Sequence, residues 1–351
     1  MEGMRGFAVF LVFLVHYSGH GRPWLDAQSV LHTIAVALET MGHGGVDLFF
    51  VLSGYLIYGS LISRPQPFKR FMARRVERIY PAFLVVFAIY LLLSFVFPSE
   101  SKIPPSAFAG ATYLVANLLL LPGIFPIKPL ITVAWSLSFE LLFYLAIPLL
   151  IASFRLRRRS RAWRVSFFTG VALAFTSYCA VFGGHVYLIM FVSGILVYEA
   201  LDSARVPIPG SALGLLALVV GLSGLLFTMG GFGVRAMRAS VLFASFFVLC
   251  ASCIGEPTGW LPRALSWTPL RWLGNMSYSY YLLHGLALRA IFPLASAVLP
   301  VAEHGAFLFW ALMPILFALT LIPTAALFLL VERPISLAGA GKGVKSFTPR
   351  G

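Results

Sequence analysis

Long apolar runs recur from one end of this chain to the other, and they constrain its fold more than any other feature. Reading for runs bounded by charge, proline and glycine gives ten candidate helices, near residues 5–21, 44–63, 79–97, 134–154, 165–182, 185–201, 211–229, 239–254, 273–299 and 305–331. A bilayer core about 30 Å thick takes roughly 20 apolar residues per helix. Ten spans therefore consume most of the 351 residues and leave only short loops. Only 11% of the residues are charged, against roughly a quarter in soluble domains, which excludes an ordinary soluble fold. The expected class is all-α, a polytopic membrane helical bundle over residues 1–335 with a cytoplasmic tail over 336–351. An eleventh apolar stretch, 107–121, is short and interrupted by Asn117, and reads as an interfacial or re-entrant piece. The first run begins almost at Met1 and lacks a small-residue cleavage site, so it reads as a retained helix.

Charge orients the bundle. With both termini cytoplasmic, the inner segments hold Arg5, six bases from Arg64 to Arg78, six from Arg155 to Arg164, then Arg205, Arg263, Arg271, Arg333, Lys342, Lys345 and Arg350. That is 20 of the 26 basic residues, the positive-inside pattern. Counting 107–121 as a full span would move Arg155 to Arg164 outside. The net charge of +14 sits in short clusters between apolar runs rather than on a recognition stripe, so the partner is the lipid bilayer and not nucleic acid. The three cysteines, Cys179, Cys250 and Cys253, lie in apolar runs as small hydrophobes. No second pair or histidine stands near Cys250-x-x-Cys253, and no metal site is expected.

An ionisable side chain within the bilayer costs at least about 2.5 kcal/mol on insertion scales, so those present pair or line a cavity. Arg5 and His16 share the first helix, and a rise of 1.5 Å per residue puts His16 roughly 16 Å outward of Arg5. Asp47, in His43-Gly44-Gly45-Val46-Asp47, lies near the outer interface, with Ser53 near mid-membrane. Arg75 and Arg78 fall on one helical face, where guanidinium forks suit phosphate. Glu140, in Trp135-Ser136-Leu137-Ser138-Phe139-Glu140, lies about two turns in from the outer side, at a depth close to that of His16. His284 is near the middle of the ninth helix. Each has a plainer alternative. His16 is a packed core histidine, Glu140 neutralises an arginine that fixes the bundle, the Lys69 to Arg78 run only sets topology, and Ser53-Gly54 marks tight helix packing. Gly184-His185 and Glu303-His304 read as solvated outer segments.

These residues resemble the acyltransferase-3 family of membrane acyltransferases, in order over most of the chain. Arg5 and His16 match its arginine, ten residues, histidine signature; Phe49-Phe50-Val51-Leu52-Ser53-Gly54 and Arg75-Val76-Glu77-Arg78 match two further elements. Trp135 to Glu140 and Ser277 to His284 resemble stretches typical of the family. The resemblance implies a bacterial inner-membrane O-acyltransferase that moves an acyl group, acetyl by family frequency, from cytoplasmic acyl-CoA to a hydroxyl of a cell-envelope glycan or lipid-linked sugar. Acyl-CoA is then a co-substrate, with no tightly bound cofactor. His16 would act as general base, with Glu140 orienting its imidazole by analogy to other histidine-based acyl transfer. Arg75 and Arg78 would hold the coenzyme A phosphates, and Arg5, Ser53, Asp47 and His284 would support the donor site. Met1 lies only four residues before Arg5, which points to a late start or a truncated chain. The sequence stops soon after the tenth run, so an extracytoplasmic esterase-like partner would be a separate chain. The reading from another functional class is a transporter or flippase, which also needs intramembrane charge but predicts repeats with matched broken helices.

Overall fold

The computed structural model describes residues 1–203, 206–227 and 230–335. Arg205, Lys342, Lys345, Arg350 and the expected tail 336–351 lie outside the described residues. Fourteen α-helices and no β-strand occur among the described residues. In chain order they are α1 (Glu2–Gly21), α2 (Val30–Gly42), α3 (Gly44–Ser63), α4 (Phe68–Val96), α5 (Ala107–Leu118), α6 (Trp135–Ser153) and α7 (Arg161–Phe182). Then follow α8 (Ile189–Leu201), α9 (Ser211–Gly224), α10 (Phe232–Gly255), α11 (Trp260–Leu265), α12 (Thr268–Asn275), α13 (Ser277–Val298) and α14 (Val301–Leu327).

Seven helical stretches among the described residues are long and apolar enough to cross a membrane: Val30–Ser63, Phe68–Val96, Thr132–Ser153, Arg161–Phe182, Phe232–Gly255, Ser277–Val298 and Val301–Ile335. The all-α polytopic class stands, and these stretches take in seven of the ten expected runs. Two of the other three are shorter apolar helices, Val186–Leu201 and Ser211–Gly224. The third, α1, has the length but carries Glu2, Arg5, His16 and His20, which lower its mean hydropathy. A segment read from the sequence as loop is helical: Ser29 caps α2 by accepting from the His32 amide. Only His43, itself in helical geometry, separates α2 from α3. Glu303 and His304 are exposed, as expected of outer residues, but lie within α14 at a kink where His304 leaves helical φ/ψ.

The piece 107–121 forms α5, 12 residues long. Its end is fixed by buried Asn117, whose Nδ2 donates to the Tyr113 carbonyl and whose Oδ1 accepts from the Leu130 amide. Lys102 ties the preceding loop to the segment before α6 by donating to the Pro129 and Leu130 carbonyls and to Thr132 Oγ1. Burial there, with Lys128 nearby, holds its ammonium below the usual lysine pKa.

The chain divides into two compact units. The first comprises Met1–Pro65, Leu145–Ser277 and Leu288–Phe317. Within it α3 and α8 touch backbone to backbone: a Cβ on Gly54 would strike the Phe191 carbonyl, and one on Gly194 the Val51 carbonyl. Small residues at such a crossing let apolar helices approach closely, as Gly54 and Gly194 do here. Inside the same unit the ends of α3, α7 and α8 converge on Glu199, which is fully buried. Arg164 Nε and Nη2 reach its two carboxylate oxygens at 2.6 and 2.7 Å, the Tyr58 hydroxyl donates to Oε1, and Arg161 Nε donates to its backbone carbonyl. Arg157 donates twice to the Leu61 carbonyl, at 3.1 and 2.7 Å. The second unit comprises Gln66–Tyr144, Tyr278–Ala287 and the chain from Ala318.

Candidate active site

In the first unit, α1 carries Arg5 and His16 on one continuous 20-residue helix. Arg5 Nη2 donates to Ser277 Oγ at 2.9 Å. Glycines bring the N-terminal end of α1 against α12, since a Cβ on Gly6 would meet the Leu270 carbonyl and one on Gly274 that of Glu2. Near the other end of α1, His16 is half-buried, within electrostatic reach of His20 and His43. The His43 ring bonds through Nδ1 to the Glu39 carbonyl, and Glu39 pairs with Arg22 at 3.1 Å. Asp47 lies one turn beyond His43 and is 8% exposed; Tyr187 is within electrostatic reach of it and of Arg235 and Arg238. His16 thus stands within electrostatic reach of two further imidazoles, one of which, His43, is tied to Glu39 and so to Arg22.

In the second unit, the sequence-derived arginines and Glu140 come together. Arg75 lies over the Phe71 and Tyr144 rings, its guanidinium carbon 5.4 and 5.7 Å from their centroids. Its Nε is buried without a hydrogen-bond partner. The Tyr144 hydroxyl, one turn beyond Glu140, donates to the Glu140 carboxylate, and Arg78 and Glu140 are both within electrostatic reach of Arg75. Tyr144 is the tenth of the 19 residues of α6, so Arg75 reaches the middle of that helix. Read from the sequence, Arg75 and Arg78 are among the inner bases and Glu140 lies about two turns in from the outer side; here Arg75 and Glu140 come within electrostatic reach of each other. The cause is that α4 begins at Phe68 and runs unbroken through Arg75 and Arg78 for 29 residues, so the basic run belongs to the helix rather than to a loop before it. His16 belongs to the first unit and Glu140 to the second.

His284, also in the second unit, is fully buried, with Nδ1 bonded to the Tyr280 carbonyl at 2.9 Å and its ring stacked on Tyr280. Two buried acids escaped the sequence reading, Glu199 and Glu332. Glu332 accepts from both the amide and the hydroxyl of Ser279, at 3.1 and 2.5 Å. Each closes an apolar run, and the insertion cost that singled out His16 would have found both. Among the described residues, no group of three or more His, Cys, Asp or Glu side chains is arranged to hold a metal ion. The three cysteines are buried and free.

The acyltransferase-3 family model, that of an acyltransferase domain, matches residues 1–329. The chain belongs to the acyltransferase-3 family. Each sequence element that resembles the family falls inside the matched stretch. A Bacillus subtilis protein named as a candidate peptidoglycan O-acetyltransferase, YrhL, is 28% identical over 393 aligned positions, covering 100% of this chain and 56% of its own length. Peptidoglycan O-acetyltransferase OatA of Listeria monocytogenes is 25% identical over 379 positions, covering 94% and 58%. The exopolysaccharide production protein ExoZ of Rhizobium meliloti is 27% identical over 324 positions, covering 87% and 93%. The chain spans a little over half the length of the first two relatives. No solved structure gives a significant match. Family membership and the apolar helices together make this an integral membrane protein.

Proposed function

We propose that this acyltransferase-3 protein is an O-acetyltransferase of the bacterial inner membrane, with both termini cytoplasmic, that moves acetyl from cytoplasmic acetyl-CoA to a hydroxyl of a cell-envelope glycan. The observation that carries this reading is the family match over residues 1–329, which contains the Arg5 and His16 signature on one helix. Neutral His16 takes the proton of the attacking hydroxyl as that oxygen meets the thioester carbonyl. The sulfur leaves as coenzyme A thiolate and recovers a proton. Arg75 and Arg78 hold the donor phosphates by charge-assisted hydrogen bonds, and the ring-supported Arg75 guanidinium, whose buried Nε has no partner, favours that role over one of topology alone. Glu140 serves this donor end by fixing Tyr144 beside Arg75, which the Tyr144 bond favours over a partnership with His16. The glycan acceptor follows the names of the peptidoglycan and exopolysaccharide relatives.

Purified protein in detergent, incubated with radiolabelled acetyl-CoA, tests the reading. Thioester cleavage or label transfer by the wild type, lost in His16→Ala, supports it. Cleavage that persists at the wild-type rate in His16→Ala rejects the general-base role.

A further inference from the structure

The six arginines from Arg155 to Arg164, four in the link between α6 and α7 and two in the first turn of α7, divide into two sets. Arg157, Arg161 and Arg164 are bonded to protein oxygens, the Leu61 and Glu199 carbonyls and the Glu199 carboxylate, Arg157 while still exposed. Arg155, Arg158 and Arg159 are exposed, and among the described residues no side-chain hydrogen bond or ion pair holds any of them. Arg155 also adopts left-handed geometry, φ 51° and ψ 41°, which is uncommon for a residue with a Cβ. The segment joins two membrane-length apolar helices and therefore sits at a bilayer surface. Its flanks are aromatic: Phe154 is 44% exposed and packs on Phe167, and Trp163 is stacked on Phe167 with the Arg159 guanidinium 4.9 Å above its ring. Aromatic rings beside cations at the headgroup level suit a lipid better than a soluble anion.

We propose that Arg155, Arg158 and Arg159 form a binding site for the phosphate headgroup of an anionic phospholipid, whose acyl chains lie along Phe154 and Trp163. Three cations near a membrane surface add roughly 1 kcal/mol each to attraction for anionic lipid, whereas Arg157, Arg161 and Arg164 are already bonded to protein oxygens. The site is independent of acyl transfer.

Native mass spectrometry of the purified protein in neutral detergent, titrated with phosphatidylglycerol or phosphatidylcholine, tests it. The wild type should retain phosphatidylglycerol in preference. The triple variant Arg155→Gln, Arg158→Gln, Arg159→Gln should bind it on the order of a hundredfold more weakly and lose the preference. The matched variant Lys69→Gln, Arg70→Gln, Arg74→Gln, which removes equal exposed charge elsewhere, should bind as the wild type does. Should the triple variant lose its fold, Arg158→Gln alone still reads the site, with about a fivefold loss. Undiminished phosphatidylglycerol binding in the folded triple or single variant, or an equal loss in the matched control, would overturn the site. Complete displacement of the lipid by millimolar inorganic phosphate would overturn the choice of a lipid as occupant.

Discussion

Arg75 shows how a guanidinium can be held in place inside an apolar protein. Two ring faces, Phe71 and Tyr144, fix its plane, and a cation over an aromatic ring contributes about 0.5 to 2 kcal/mol depending on desolvation. Glu140 fixes Tyr144 in turn through its hydroxyl. Arg75→Gln and Arg78→Gln should each raise the KM for acetyl-CoA about tenfold or more, since a hydrogen bond to a charged group is worth roughly 1.5 to 3 kcal/mol. Coenzyme A affinity measured by calorimetry should fall in parallel; unchanged affinity in both would return the pair to topology. Tyr144→Leu removes the ring beneath Arg75 and should reproduce the Arg75→Gln defect in KM. Tyr144→Phe keeps the ring but loses the hydroxyl that bonds both Glu140 and Arg75, and should fall between the wild type and Tyr144→Leu. Sequence alone named Arg75, Arg78 and Glu140 but could not pair them. Which faces of α4 and α6 meet is decided by packing, and both helices are apolar around most of their girth.

At the scale of elements, the arginine-rich segment before α7 does more than orient the chain. Glu199 is fully buried and its charge is balanced by Arg164, whose side chain is only 13% exposed. Breaking such a pair from one side leaves an uncompensated charge and costs about 3 to 5 kcal/mol. Arg164→Met should therefore lower the thermal midpoint in detergent markedly, and Arg164→Met with Glu199→Met should recover much of the loss. A single variant that melts with the wild type would show that the pair does not hold α3, α7 and α8 together. The helices α6 and α7 were legible as apolar runs, and the basic residues between them were legible as a topology signal. Which of those arginines turn inward was not, because the partner carboxylate lies 35 residues on from Arg164. Helix α2 was missed for a different reason: at 13 residues it is shorter than a bilayer crossing, and the chain was read for runs of membrane length.

For the whole molecule, the depth of every charged group depends on the membrane crossings. Ten apolar runs were legible, and seven of them fall in helical stretches of full membrane length. Two of the remaining three fall short because a run of apolar letters does not reveal where a helix ends: α9 stops at Gly224, and α8 begins only at Ile189 after a 3-10 turn. In a background without Cys179, Cys250 and Cys253, an impermeant thiol reagent should label Ser101→Cys and Ser106→Cys in intact cells, and Ser160→Cys only after lysis. Labelling of Ser160→Cys in intact cells would make α5 a crossing and put the Arg155 to Arg164 segment outside. The central claim is that His16 performs acetyl transfer to an envelope glycan. Its most direct test is the O-acetyl content of glycans from a deletion strain complemented with wild-type protein or with His16→Ala at equal membrane abundance. Wild type should restore the O-acetyl groups and His16→Ala should leave them absent, whereas restoration by the variant would contradict the account.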